Sequence, residues 1–122
     1  MNLLSTHTEI IKKSKFIALV YSINNEKEAE EILSHLKVEH KKARHLPYAF
    51  KLTNTARKSD DKEPSNTAGL PILNILEREN LNNTLIVVIR YFGGTKLGAG
   101  PLLRAYSKAA NEAVKLLKEK NL

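Results

Sequence analysis

Residues 85–106 read LIVVIRYFGGTKLGAGPLLRAY, from Leu85 to Tyr106, and this stretch decides the fold. Its first part, Leu85–Ile89, is continuously apolar, which is typical of a central strand that is buried on both faces. Proline suits the first position of a helix, and apolar side chains recur at helical spacing after Pro101. The stretch therefore predicts a strand over Leu85–Phe92, then a tight turn, then a helix that begins at Pro101.

The turn between this strand and this helix contains four of the five glycines of the chain. They are Gly93, Gly94, Gly98 and Gly100. Glycine lets a ligand or another backbone come close, and the first turn of a helix presents free N–H groups and a positive dipole. The turn therefore predicts either an anion-binding corner, bordered by Arg90, Lys96 and Arg104, or a purely structural turn with closely packed glycines.

The composition predicts one domain over residues 1–122. The chain is 42% hydrophobic, which suits a single core, and it has no cysteine, which excludes disulfides and thiolate metal sites. No apolar stretch approaches the roughly 20 residues that span a bilayer, and the N-terminus lacks the pattern of a signal peptide. We therefore expect a cytoplasmic protein that makes no membrane contact.

The formal net charge of +7 favours anionic partners such as nucleic acid, ribosomes or acidic proteins. Basic residues occur in three clusters along the sequence. These are Lys12, Lys13 and Lys15, then Lys41, Lys42 and Arg44, then Arg57 and Lys58. Phosphate binding needs several cations on one surface, and the sequence does not show whether these clusters converge.

Apolar periodicity outlines the remaining elements. Strands are predicted over 8–13, Phe16–Ile23, Leu46–Thr53 and Leu85–Phe92, and helices over 25–42, from Thr67 to about Asn80, and from Pro101. The alternation of apolar and polar residues predicts that the strand Leu46–Thr53 is half-exposed, and Asn24 and Asn25 offer an N-cap for the first helix. The polar, aperiodic segment Asn54–Asn66 is predicted to be a loop. Four strands and three helices in this order predict an α+β fold, a two-layer α/β sandwich with helices packed on a four-stranded sheet. The sequence contains no internal repeat.

Helices on one face alone would leave the apolar central strand uncovered on the other face. The third helix, a further domain or a dimer partner are the three candidates for that cover. We therefore expect either a monomer or a homodimer.

An acidic segment precedes the second predicted helix. Asp60, Asp61 and Glu63 lie within four positions, and Thr67 is placed to cap the helix. Carboxylates bind hard cations such as magnesium, but they also stabilise a helix N-terminus without any metal. The EF-hand pattern is absent, and we predict no metal site here.

No catalytic motif is recognisable. The glycine turn matches neither the Walker pattern nor G-x-G-x-x-G, and the chain has no G-x-S-x-G elbow. The four histidines, His7, His35, His40 and His45, lack metal-binding spacings. We therefore predict no catalytic residue and no cofactor, and we keep His45 and Arg57 as lesser candidates for partner binding.

Taken together, these motifs resemble the YigZ/IMPACT family over nearly the whole chain. The matching segments are SKFIA at Ser14–Ala18, then Ala43, His45, Tyr48 and Ala49, then DDKEPSNTAG at Asp60–Gly69, and the run from Arg90 to Tyr106. The resemblance implies a fold like domain two of ribosomal protein S-five, with a surface patch built from the two motif loops.

Three departures from the family pattern stand out. Lys62 replaces the family's glycine, which predicts that no glycine-only backbone shape is needed there. Pro101 replaces a glycine and removes one N–H donor from the turn. The ferredoxin-like C-terminal domain of bacterial relatives is expected to be absent, because the sequence stops after the first domain.

The resemblance also implies a function. Eukaryotic members of the family regulate translation by competing for a ribosome-associated activator of a starvation-sensing kinase. We therefore predict a non-catalytic binding domain that acts on the translation machinery through RNA, the ribosome or a ribosome-associated protein. The alternatives are a purely protein-binding regulator of the starvation response and a metal-assisted enzyme acting on a small anionic substrate.

Overall fold

The computed structural model describes residues 1–121 of the chain. Its elements are β1 (Asn2–Ile11), β2 (Ser14–Ser22), α1 (Glu26–Glu39), β3 (Tyr48–Lys51), β4 (Ala56–Ser59), α2 (Gly69–Arg78), β5 (Thr84–Tyr91) and α3 (Ala99–Lys120). The predicted α+β fold, one sheet with helices packed on it, is confirmed.

The sheet has five strands in the order β1-β2-β5-β3-β4, and every neighbouring pair is antiparallel. The predicted count of four is wrong because β4 lies inside Asn54–Asn66, which the sequence predicts to be a loop. The side chains of β4 are mostly exposed, so the strand shows no apolar alternation. Its pairing with β3 holds it in place instead.

The central position of β5 is confirmed. Seven of its eight residues are buried, and it pairs with β2 on one side and β3 on the other. Alternate side chains point to opposite faces of a strand, so Leu85, Val87 and Ile89 share one face while Ile86 and Val88 share the other. This explains why the sequence of β5 is continuously apolar.

Helices cover both faces of the sheet. α2 and α3 form one core with the face that carries Phe16 and Ile86, and α1 forms a second core with the face that carries Phe50 and Leu85. β3 is therefore covered on both sides, and the predicted half-exposed strand is wrong there, since Ala49 and Phe50 are fully buried. The apolar central strand obtains its cover within the chain and needs no dimer partner.

The first and last helices begin close to the predicted positions. Asn25 caps α1 as predicted, because its side chain accepts a hydrogen bond from Glu28 N at 2.9 Å. α3 begins at Ala99 rather than at Pro101, with Gly98 as its N-cap. Pro101 still lies in the first turn, where its missing N–H leaves no helical bond unmade. No helix within residues 1–121 is both long and apolar enough to cross a membrane.

Candidate functional site

The end of β5 places a buried arginine against a buried glutamate. The Arg90 side chain is 7% exposed and the Glu63 side chain 3%. Arg90 Nη1 donates to Glu63 Oε1 at 3.0 Å and to Oε2 at 2.8 Å. Arg90 Nε is buried without a hydrogen-bond partner within residues 1–121. The sequence predicts Arg90 at a contact surface, but its charge is balanced by Glu63 inside the protein.

A tight turn delivers Glu63 to this position. Glu63 N donates to Asp60 O at 3.0 Å, and the two residues between them have positive φ, 45° at Asp61 and 71° at Lys62. This is the geometry of a type I′ turn, which favours glycine at its second central position. The prediction that no glycine-only backbone shape is needed at this position is confirmed, because Lys62 adopts the left-handed conformation itself.

A tyrosine from α3 completes the partners of Glu63. Tyr106 is fully buried, and its hydroxyl donates to Glu63 Oε2 at 2.5 Å. Burial raises the pKa of this phenol strongly, and the hydrogen bond to the Glu63 carboxylate raises it further. Tyr106 therefore stays neutral and serves as a fixed donor that ties α3 to the acidic turn.

His45 closes the cluster from the segment that leads into β3. Its Nδ1 donates to Asp61 O at 2.8 Å, and its Nε2 lies 3.4 Å from Glu63 Oε1. Its backbone oxygen accepts from Arg90 N at 2.9 Å, which fixes the segment to β5. The imidazole is 18% exposed, so one edge of the ring reaches the surface while the other is held by the turn.

The other acidic residues have structural partners. Asp60 Oδ1 accepts from Ala68 N and Gly69 N, and Oδ2 accepts from Asn66 N. Burial raises the pKa of the Asp60 carboxyl, but these three bonds together outweigh it, so the pKa lies below its usual value. Asp60 thus stabilises the start of α2.

Asp61 and Thr67 complete the support of this segment. Asp61 Oδ2 accepts from Leu46 N at 2.7 Å. Thr67 was a candidate cap for α2, but that prediction is wrong, because its hydroxyl donates to Pro64 O at 2.6 Å instead. Within residues 1–121 no group of three or more His, Cys, Asp or Glu side chains is arranged to hold a metal ion.

The glycine turn packs against the hairpin between β1 and β2. A Cβ on Gly93 would lie 2.0 Å from the carbonyl carbon of Lys13, so only glycine fits there. Gly94 has a φ of 93°, a conformation that other residues rarely adopt. Gly98 and Gly100 have more room, with no atom closer than 3.9 Å and 3.4 Å to an added Cβ. Close packing therefore accounts for Gly93, and the positive φ accounts for Gly94.

The two motif loops meet at one pocket of about 380 Å³ above the Glu63–Arg90 pair. We call it the motif pocket, and its lining residues are Arg44, His45, Glu63, Pro64, Arg90, Phe92, Lys96, Leu97 and Leu102. Arg44 and Lys96 are exposed, and neither pairs with a carboxylate in the part of the chain that the structure describes. Phe92 is 38% exposed, and the Arg44 guanidinium lies 4.6 Å from its ring centroid.

Two of the predicted basic site residues, Arg104 and Arg57, lie outside the motif pocket. Arg104 lines a neighbouring pocket of about 310 Å³ together with Lys12 and Lys108. Of the residues that line this second pocket, only Leu97 also lines the motif pocket. Arg57 lies on β4 and pairs with Glu26 and Glu30 of α1, so it belongs to the opposite face of the sheet.

Sequence reasoning missed the site roles of Arg44 and Tyr106, and it considered Phe92 only as one of several strand aromatics that could stack bases or pack in the core. Tyr106 lies on the apolar stripe of the last helix, and nothing in that pattern shows that its hydroxyl meets a carboxylate. Arg44 and Phe92 are far apart in the sequence, and the backbone bond from Arg44 N to Arg90 O at 2.8 Å brings them together. The signal available in the sequence for Phe92 was an aromatic residue at the end of the predicted central strand, directly before the glycine turn.

The sequence of the chain matches the Impact N-terminal domain over residues 12–114. The chain belongs to the IMPACT family. It is 41% identical over 111 residues to the IMPACT family member YvyE of Bacillus subtilis, a match covering 88% of this chain and 51% of YvyE. It is 35% identical over 117 residues to YigZ of Escherichia coli, covering 92% of this chain and 57% of YigZ. The chain thus spans about half the length of these IMPACT relatives.

Solved structures agree with the IMPACT assignment. The crystal structure of a hypothetical protein superposes with a TM-score of 0.88 at 34% identity, covering 91% of this chain and 56% of that protein. The two-domain translational regulator Yih1 superposes with a TM-score of 0.57 at 26% identity, covering 95% of this chain and 46% of Yih1. The fold is therefore that of an IMPACT domain.

Proposed function

We propose that this IMPACT domain binds RNA of the translation machinery, free or within the ribosome, through the motif pocket, and that it acts by binding rather than by catalysis. The observation that carries the proposal is that two exposed cations, Arg44 and Lys96, line the same pocket as the exposed ring of Phe92. Their charges are not balanced by a carboxylate within the described residues, so they favour an anion.

The floor of the pocket supports binding rather than bond-making. Glu63 is enclosed by Arg90 and Tyr106, so its charge is already satisfied and its proton-accepting oxygens are occupied. Asp60 and Asp61 are engaged by backbone N–H groups. These bonds fix the shape of the pocket, and a fixed shape lowers the entropic cost of binding a partner.

The link to translation comes from the family. Yih1, which shares the fold at 26% identity, is described as a translational regulator. The formal net charge of +7 is consistent with an RNA-rich partner. Because this chain spans under half of Yih1, we limit the proposal to RNA contact by the domain itself.

The test is retention of ribosomes and labelled single-stranded RNA on immobilised protein over a range of salt concentrations. We compare the wild type with the double variant Arg44→Ala/Lys96→Ala. The control is Lys27→Ala/Lys37→Ala, which removes the same charge from the exposed side of α1. We expect the site variant to bind more weakly and to lower the salt slope by about 1.4, from two lost phosphate contacts, while the control keeps most of the wild-type slope.

The proposal fails if the wild type retains neither ribosomes nor RNA at low salt. It also fails if the site variant and the control variant lose binding equally, because the effect would then depend on net charge alone.

A protein partner associated with the ribosome is the second candidate. Leu3 and Ile10 of β1 are 53% and 62% exposed on the face of the sheet that carries α1. Exposed apolar side chains on one surface are typical of protein contacts. Retention that survives ribonuclease treatment and is abolished by Leu3→Ser/Ile10→Ser would favour this candidate over RNA.

A further inference from the structure

We infer that the motif pocket holds one unpaired nucleotide of the RNA, with its base against Phe92 and its phosphate between Arg44 and Lys96. This inference rests on the proposed function and specifies the ligand. Four properties of the pocket carry it: its concave shape and size, its balance of charge, its exposed aromatic ring, and the anchored imidazole at its floor.

The shape of the pocket favours a single unpaired nucleotide over a duplex. The pocket encloses about 380 Å³, and Pro64, Leu97 and Leu102 give it apolar walls. A duplex presents convex rows of phosphates and keeps its bases stacked inside, so it would leave such a cavity unfilled. A base that is already unpaired has its apolar faces exposed and fits between apolar walls.

The charge balance calls for an anion with an aromatic part. Arg90 and Glu63 neutralise each other at the floor, which leaves Arg44 and Lys96 as the excess charges at the rim. Phosphate satisfies both cations, and the exposed part of the Phe92 ring in the same pocket offers an apolar surface against which a base can pack. An acidic peptide side chain would satisfy the cations but would leave the ring unused.

The aromatic ring is arranged for stacking. The Arg44 guanidinium lies 4.6 Å from the centroid of Phe92, so a cation and a ring already form a pair at the rim. Bases in single-stranded RNA stack on both aromatic rings and guanidinium planes. The backbone at Phe92 is held in place, since the residue follows directly on β5 and precedes Gly93, which is packed against the hairpin of β1 and β2.

His45 gives the pocket a fixed side. Its Nδ1 donates to Asp61 O and its Nε2 lies 3.4 Å from Glu63 Oε1, so the imidazole cannot rotate freely, and the 18% exposed ring lines the pocket. A base or a ribose can pack against this ring. The Arg104 pocket lacks an aromatic ring and a histidine, so it does not share this ligand chemistry.

The experiment measures fluorescence anisotropy with a labelled single-stranded RNA and with the fully paired duplex of the same sequence. The variant is Phe92→Leu, which keeps an apolar side chain but removes the ring. The control is Val38→Ala, a change at an exposed apolar residue of α1. We expect the single strand to bind at least about tenfold more tightly than the duplex, and Phe92→Leu to weaken single-strand binding by about tenfold or more with little effect on the duplex.

A second readout follows backbone amide NMR signals during titration with a nucleoside monophosphate. We expect shifts at Phe92, Lys96 and His45, and none at Val38. If RNA binds but the duplex binds equally well and Phe92→Leu binds as the wild type does, the inference is overturned and the proposed function stands. If monophosphates shift these signals but no RNA or ribosome is retained, the proposed function fails and the inference fails with it, because the pocket then binds a free nucleotide and not a nucleotide of RNA. The inference would also be overturned if phosphotyrosine shifted these signals as strongly as the nucleoside monophosphate does, while a free base caused no shift.

Discussion

Replacing Glu63 by glutamine tests the buried centre of the molecule. The glutamine keeps the shape of the side chain but removes the charge that faces Arg90. Glu63 accepts two hydrogen bonds from Arg90 Nη1 and one from the Tyr106 hydroxyl, and its side chain is only 3% exposed. The variant therefore leaves a guanidinium that is 7% exposed without a counter-charge.

Removing one partner of a buried ion pair costs about 3–5 kcal/mol, because the remaining charge is neither solvated nor paired. That is a large share of the roughly 5–15 kcal/mol by which domains of this kind are stable. Arg90→Met should lower the free energy of unfolding by a similar amount, since it leaves the buried Glu63 carboxylate without its counter-charge. The double variant Glu63→Gln/Arg90→Met should cost less than the sum, by about 2 kcal/mol or more, and it also removes the unpartnered Arg90 Nε.

Urea unfolding at pH 7, followed by far-ultraviolet circular dichroism, measures these free energies. Glu31→Gln, on the exposed side of α1, is the control and should stay within about 0.5 kcal/mol of the wild type. A loss below about 1 kcal/mol for Glu63→Gln, or strictly additive losses in the double variant, would show that the pair does not carry the buried charge as argued.

Three further substitutions test the loops. Gly93→Ala should destabilise by about 1–3 kcal/mol in thermal unfolding, because its Cβ would lie 2.0 Å from backbone, whereas Gly98→Ala should change little. Lys62→Gly should raise the free energy of unfolding by about 0.5–1 kcal/mol, because its φ of 71° favours glycine. Asp60→Asn should lower stability at pH 7 and flatten its pH dependence in acid unfolding. The pKa of Asp60 is lowered in the folded state, so its stabilisation is present above about pH 4 and is lost as the pH falls through the folded pKa.

Each of these has a contrary outcome. Equal losses for Gly93→Ala and Gly98→Ala would mean that the hairpin yields to the added methyl group. A loss of stability in Lys62→Gly as large as that in Lys58→Gly, a change on the exposed strand β4, would show that the turn is not strained. An unchanged acid transition in Asp60→Asn would remove the role given to its three backbone hydrogen bonds.

Much of the fold could be predicted from local patterns. Three local patterns are visible in the sequence and are confirmed by the structure. They are the apolar run of β5, the Asn25 cap and the apolar stripe of the last helix. The sequence did not predict β4, because this exposed edge strand is stabilised by its pairing with β3. A short polar sequence does not show such a pairing.

The site was only partly predictable for a related reason. Both motif loops are visible in the sequence, but Glu63 and Arg90 are 27 positions apart, and charged residues normally remain solvated. Their burial depends on the fold placing them on one face with Tyr106. The sequence therefore identifies the loops, whereas only the assembled sheet shows that Arg90 supports the floor and that Arg44 and Lys96 form the rim.

The strand order has a consequence for synthesis of the chain. β5 is the last strand in the sequence, yet it lies between β2 and β3. A nascent chain that has emerged only to α2 holds two separate hairpins, each with an unpaired inner edge and uncovered apolar side chains. The two halves join only when residues 84–91 leave the exit tunnel, so the sheet is completed only then, and until that point its unpaired edges and apolar side chains are open to aggregation.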